Sequence, residues 1–170
     1  MADSSRIDEL RRRLETDPAS IAFAQLAEEY RRDGQFERAL EVSRKGLAVH
    51  AGYASARVTL GRALLQLGRL DEARAELQQV LESAPAQLAA IRGLAEIHQR
   101  HGELTEAIAL YETALTLAPN DPEIEQTIAD LSTALLKSRN TVDRELAKRQ
   151  LAAMEQWLLA IHVARVQRHS

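Results

Sequence analysis

Three stretches decide how this chain reads: LAEEYRRDGQFERAL at residues 26–40, LGRALLQLGRLDEAR at 60–74 and LAEIHQRHGELTEAI at 94–108. Aligned, they place Gly34, Gly68 and Gly102 34 residues apart, and Ala39, Ala73 and Ala107 five residues after each glycine. Leu26, Leu60 and Leu94 stand eight before each glycine, and a small residue, Ala27, Gly61 or Ala95, follows each leucine. Each stretch reads as the end of one helix, a glycine turn and the start of another. Apolar residues recur at helical spacing on both sides, and no period-two alternation occurs. The alanines leave room for two antiparallel helices to approach closely. Pro85 and Pro119, also 34 apart, sit just past each second helix, where a residue lacking the backbone donor stops propagation. Ala51 followed by Gly52 takes that place in the first unit.

These positions resemble the tetratricopeptide repeat, whose 34-residue unit has Trp-x2-Leu-Gly-x2-Tyr in its first helix, Ala-x3-Phe in its second and a closing proline. The first unit supplies Phe23, Leu26, Ala27, Tyr30, Ala39, Ser43 and Gly46. The second supplies Arg57, Leu60, Gly61, Leu64, Ala73, Leu77, Val80 and Pro85. The third supplies Ile91, Leu94, Ala95, His98, Ala107, Tyr111, Ala114 and Pro119. Ser43 and Arg57 depart from the pattern and are expected to weaken single contacts without shifting the register. The resemblance implies an all-α right-handed solenoid of antiparallel helix pairs, each of which buries its apolar face only by stacking on the next.

The units are 20–53, 54–87 and 88–121, preceded by a capping half repeat at 1–19. In that cap Ile7, Leu10 and Leu14 share a face. A capping helix follows at 122–139, with Ile124, Ile128, Leu131 and Leu135 at helical spacing and Asp121 placed as N-cap before Pro122. A fourth second helix would need small or apolar residues at Thr141, Glu145 and Lys148, so the register ends. Asn140 is expected to open a new, long apolar helix over 140–170, with Asp143 and Glu145 in its first turn.

Composition narrows the function. The chain of 170 residues is 45% apolar and 28% charged, which is ordinary for a folded domain. A net charge of −3 and only 4% aromatics argue against a nucleic-acid partner. There is no cysteine for disulfides, thiolate nucleophiles or Cys-type zinc sites, and MADSSRIDELRRR lacks the apolar core of a secretory signal, so a cytoplasmic setting is expected. Gly61 to Gly68 has P-loop glycine spacing, but Arg69 and Leu70 stand where Lys and Ser/Thr would hold phosphate and magnesium. His98 and His101 are three apart on one helix, but no third ligand is placed by the sequence. No catalytic residue, metal or cofactor is expected.

The resemblance also implies a binding surface, the concave face lined by first helices. Tyr30, Leu64 and His98 are expected to pack inward, while Glu28, Arg62 and Glu96, two residues earlier, point into the groove. Two readings stand: a ladder of charges satisfied between neighbouring helices, or a groove to which Arg31, Arg32, Arg92 and Arg100 lend a net positive charge. The seven groove charges are five positive and two negative, or +3. A groove formed by these residues with Gln66 and Gln99 would suit a protein segment bearing acidic groups. Relatives that grip the C-terminal carboxylate of heat-shock chaperones use lysines, asparagines and an arginine at positions held here by Ala24, Glu28, Thr59, Ala89 and Gly93. That clamp is missing. Glu103 to Asp130 carries seven acids and no base, whereas Lys137 onward carries seven bases and three acids. Attraction between these regions, within or between chains, is one reading, and an acidic partner surface is the other.

The stretch LAAMEQWLLAIHVARV, 151–166, is too short and too charged to span a membrane, with Glu155, His162 and Arg165 inside it. On a helix, Ala147, Leu151, Met154, Leu158 and Ile161 form one seam, Leu146, Ala153, Trp157, Ala160 and Ala164 a second, and Leu159, Val163 and Val166 a third. A cap needs one apolar stripe. The surplus is expected to meet the solenoid on one side and a second copy on the other, with Trp157 as anchor, or else to dock on a different protein. The expected function is a non-catalytic scaffold or adaptor for a protein or peptide. The alternative is an accessory or regulatory subunit inserted into a larger assembly through this helix.

Overall fold

A computed structural model describes the backbone of residues 2–167 and the side chains of residues 5–157. Among the described residues there are eight helices and no strand: α1 (Ala2–Thr16), α2 (Ala22–Arg32), α3 (Phe36–Val49), α4 (Ala54–Gln66), α5 (Leu70–Ser83), α6 (Leu88–Arg100), α7 (Leu104–Leu117) and α8 (Pro122–Gln167). Two compact units are present, divided after Ile128.

The recurring glycine is explained by how α2, α4 and α6 end. Gly34, Gly68 and Gly102 have φ of 75°, 74° and 77°, the left-handed region that a side chain resists. From there the Gly34 N–H donates to the Arg31 carbonyl at 3.2 Å, and the Gln35 N–H donates to the Tyr30 carbonyl at 2.8 Å. The same two bonds form at Gly68 and Arg69 (3.1 and 2.9 Å) and at Gly102 and Glu103 (3.0 and 2.9 Å). This double closure satisfies carbonyls that a helix end otherwise leaves open, and it sends the chain straight into the next helix.

In the first unit α2 packs on α3, α4 on α5 and α6 on α7, while α2, α4 and α6 lie side by side. Ala39, Ala73 and Ala107 are wholly buried where the paired helices touch. Two further contacts depend on glycine. A Cβ on Gly46 would fall 2.0 Å from the Phe23 ring, which lies in a stack with His50 (centroids 5.8 Å apart) and against Tyr53 (5.6 Å). Cβ atoms on Gly61 and Gly93 would fall 2.7 and 2.6 Å from the Leu77 side chain, so α4 and α6 both make room for one residue of α5. Ile7 and Leu10 of α1 are buried beside α2, as the phase of the opening half repeat requires.

The two departures from the repeat pattern behave differently from each other. Arg57 gains rather than loses contacts: its guanidinium meets Glu76 of α5 at 2.6 Å and the Ala51 carbonyl at 2.8 Å. Ser43 is fully buried, and its hydroxyl has no hydrogen-bond partner. Removing an unsatisfied buried hydroxyl recovers its desolvation cost, and alanine is also the better helix former. Ser43→Ala is therefore expected to raise stability by about 1 kcal/mol, read as a higher urea midpoint at constant slope; a lower midpoint would refute the burial argument.

Asp121 caps α8 as expected. Its Oδ1 accepts the N–H groups of Glu123 (3.0 Å) and Ile124 (3.3 Å), and Ile124 is buried. The separate helix expected to open at Asn140 is not present, because α8 runs through that position without a break. Neither proline nor glycine occurs between Glu123 and Gln167, and a break would strand backbone donors and acceptors that continuous helix satisfies. Asp143 and Glu145 are thus mid-helix residues. Every residue from Leu136 to Trp157 is exposed. The side chains of Leu158 and Ile161 lie outside the described residues.

Candidate functional site

A groove runs along α2, α4 and α6, and two cavities open in it. One, of about 470 Å³, is lined by Glu28 and Arg32 of α2, Thr59 and Arg62 of α4, Arg6 of α1, and Tyr53 and Gln87. The other, of about 550 Å³, is lined by Arg62 and Gln66 of α4, Arg92, Gly93 and Glu96 of α6, and Gln87, Tyr111 and Glu123. Arg62 and Gln87 border both. Of the residues expected in the groove, Glu28, Arg32, Arg62, Gln66, Arg92 and Glu96 line these cavities, whereas Arg31, Gln99 and Arg100 line neither.

The ladder expected between helices, Glu28 to Arg62 to Glu96, does not form. Glu28 is held by its own helix, by Arg31 at 2.7 and 2.9 Å and Arg32 at 3.2 Å, and it also accepts the Thr59 hydroxyl at 3.1 Å. Glu96 pairs with Arg100 of its own helix at 2.6 Å, and Arg100 reaches the Leu65 carbonyl of α4 at 2.5 Å. Arg92 binds Glu123 at 2.5 Å and Asp121 at 3.5 Å. Residues three or four apart on one helix are surface neighbours, about 5–6 Å apart at Cβ, which brings Arg31 and Arg32 within reach of Glu28 and Arg100 within reach of Glu96. Burial opposes the Glu28 charge, but the bonds from Arg31 and Thr59 and the nearby Arg31 and Arg32 charges hold its carboxyl below the usual range. Arg92 is stabilised as a cation first by its bond to Glu123.

Arg62 differs. Among the described residues it is the one groove arginine without a hydrogen bond or ion pair, and partial burial followed by repulsion from Arg31 lowers its pKa. Burial also pushes the Tyr111 hydroxyl up, with Glu96 adding to the shift, and that hydroxyl donates to Gln99 at 3.4 Å. The net +3 expected for the groove was counted without Asp121 and Glu123. Adding both to the same seven residues gives five positive and four negative charges, or +1.

Tyr30 and Leu64 pack inward as expected; His98 is only half-buried, and its Nδ1 meets Glu103 at 2.5 Å. His101 meets Arg74 at 2.8 Å, and among the described residues no group of three His, Asp or Glu could hold a metal ion. Sequence reasoning missed Tyr53 and Gln87. They are 34 residues apart, each immediately before a first helix, so the same period that revealed the repeat marks them. Arg6, Tyr111 and Glu123 were missed because they reach the groove from α1, α7 and the start of α8.

Helix pairs repeat along the chain, and their first helices line a polar groove. The family model for the tetratricopeptide repeat matches residues 24–87 and 58–122, more than half of the chain, and the chain belongs to that family. A protein of Drosophila pseudoobscura pseudoobscura, Phagocyte signaling-impaired protein, is 32% identical over 91 residues, which are 54% of this chain and 10% of that protein. Among solved structures, MamA from Desulfovibrio magneticus RS-1 aligns with a TM-score of 0.72 at 18% identity over 83% of this chain and 80% of that one. A thermophilic tetratricopeptide protein of Thermus thermophilus aligns at 0.64 with 27% identity, over 75% and 71% of the two chains. The second such domain of human RPAP3, solved with the HSP70 peptide SGPTIEEVD, aligns at 0.60 with 21% identity, over 67% and 95%. These likenesses confirm the all-α solenoid. No helix among the described residues is long and apolar enough to cross a membrane.

Proposed function

We propose that the chain is a non-catalytic interaction module that holds a segment of a partner protein in the groove of α2, α4 and α6. The observation that carries this reading is the pair of adjoining cavities sharing Arg62 and Gln87, of the volume range that ligand sites occupy, on the face formed by equivalent positions of successive repeats. Solved relatives bind peptides, as the RPAP3 domain does. The chaperone-tail mode is not proposed. Of the five clamp positions, Ala24 is buried, Glu28 is an acid engaged by two arginines and Thr59 donates to it, while Ala89 and Gly93 offer no donor side chain.

Screening a random dodecapeptide library against the immobilised chain tests the groove. Ala89 lines the larger cavity, and Ala89→Trp is expected to abolish capture of the enriched peptides while the helical circular dichroism signal and melting temperature stay close to wild type. Undiminished capture by that folded variant would refute the site.

A second reading concerns α8, on which Leu146, Leu151, Met154 and Trp157 are each more than half exposed (53%, 56%, 57% and 64%). We propose that these residues, on two adjoining stripes of α8, pair with a second copy, since large apolar side chains grouped in this way are rarely left in water. Sedimentation equilibrium is expected to give twice the mass of one chain for wild type and a single chain for Trp157→Glu. A monomeric wild type would exclude the pairing and leave docking of α8, as an accessory subunit, on a different protein.

A further inference from the structure

Arg62 lies where the two cavities meet, and around it every other groove arginine already has an acceptor. Arg31 and Arg32 hold Glu28, Arg100 holds Glu96 and the Leu65 carbonyl, and Arg92 holds Asp121 and Glu123. We infer that Arg62 is the receptor for a single carboxylate of the partner segment, one Asp or Glu side chain that seats on the guanidinium while the chain on either side of it occupies the two cavities. This deepens the groove reading above and rests on it.

The surroundings of Arg62 select this ligand in three ways. First, the guanidinium carries five donors in a planar fork that matches a carboxylate, and among the described residues none of those donors is taken. The site is therefore preorganised, since no internal ion pair must break for the ligand to bind. Second, the charges of Arg31 and Arg92 bear on Arg62 unfavourably and partial burial strips water from it, so an incoming anion relieves repulsion that the free chain carries. Third, Glu28 and Glu96 also act on Arg62, from the neighbouring helices on either side. These acids limit the attraction to one negative charge. A run of acids would place its outer members against Glu28 and Glu96, and a doubly charged phosphate would meet them both. The predicted motif is one acid flanked by uncharged residues, with Gln66 and Gln87 at the cavity walls able to bond the segment's backbone amides.

The test uses synthetic versions of the peptides enriched on the full chain and fluorescence anisotropy against wild type and Arg62→Gln. Arg62 is only partly covered and is not a core residue, so the variant is expected to fold, and circular dichroism verifies it. The enriched peptides are expected to share one Asp or Glu, and replacing that acid by its amide is expected to weaken binding about tenfold or more. Arg62→Gln is expected to weaken binding of the parent peptide by a similar factor and to make it indifferent to the acid-to-amide change, the signature of a direct pair. Groove-bound peptides without a shared acid, or equal losses from the amide change in wild type and variant, would overturn this inference and leave the groove reading intact. Tighter binding when phosphoserine replaces the acid would overturn the carboxylate specificity. Recovery of no peptide sensitive to Ala89→Trp would overturn the groove reading itself.

Discussion

Leu77→Ala is expected to lower the unfolding free energy by about 4 kcal/mol, near the upper part of the range for a buried leucine. Leu77 has no exposed surface, and its side chain fills the space left by two glycines on helices of different repeats. The cavity would therefore open between α4, α5 and α6 together, with backbone rather than pliable side chains along two of its walls. Such walls collapse poorly, which is the condition under which the cavity term is large. A second substitution makes the test specific. In wild type, Gly93→Ala should destabilise, because the added Cβ falls 2.6 Å from Leu77 Cδ1. In the Leu77→Ala background the same change should stabilise by about 1 kcal/mol, since it fills vacated space and alanine favours helix over glycine. Additive effects in urea unfolding would show that Leu77 and Gly93 do not share this space.

Gly46→Ala is expected to cost about 2 kcal/mol. Alanine normally stabilises a helix interior by about 1 kcal/mol relative to glycine, and overpacking a closed core costs about 1–3 kcal/mol, so the sign depends on whether Phe23 can yield. It is held on both sides. The ring stacks on His50, which is tied by Nε2 to the Ala19 carbonyl at 2.6 Å, and it also meets Tyr53. A Cβ at 2.0 Å thus displaces a buried aromatic together with its neighbours. The double variant Phe23→Leu with Gly46→Ala should be more stable than the sum of its single changes; strict additivity in thermal unfolding would contradict the clash.

The repeat was legible because its cause is local and periodic. Each left-handed glycine turn and each buried alanine must recur wherever a helix pair closes, and Gly34, Gly68 and Gly102 show this directly. The pairing of charges in the groove was not legible. Glu28 had Arg31, Arg32 and Arg62 all within conceivable reach, and only the side-chain geometry decides that Glu28 stays with its own helix and leaves Arg62 open. Asp121 and Glu123 were read as members of an acidic stretch, because nothing local shows that Arg92 is their partner. The Asn140 boundary failed for a different reason. Loss of the 34-residue register marks the end of a repeat, but ending a helix needs a stop signal, and none is there.

Chemical-shift mapping of the isotopically labelled full chain, titrated with one enriched peptide, tests groove binding most directly. The largest shifts are predicted at Glu28, Thr59 and Arg62, at Gln66 and Gln87, and at Arg92 and Glu96, with the Arg62 Nε–Hε signal moving furthest among the arginine side chains. Shifts confined to α3, α5 and α7, or to the exposed face of α8 at Leu146, Leu151 and Trp157, would contradict it.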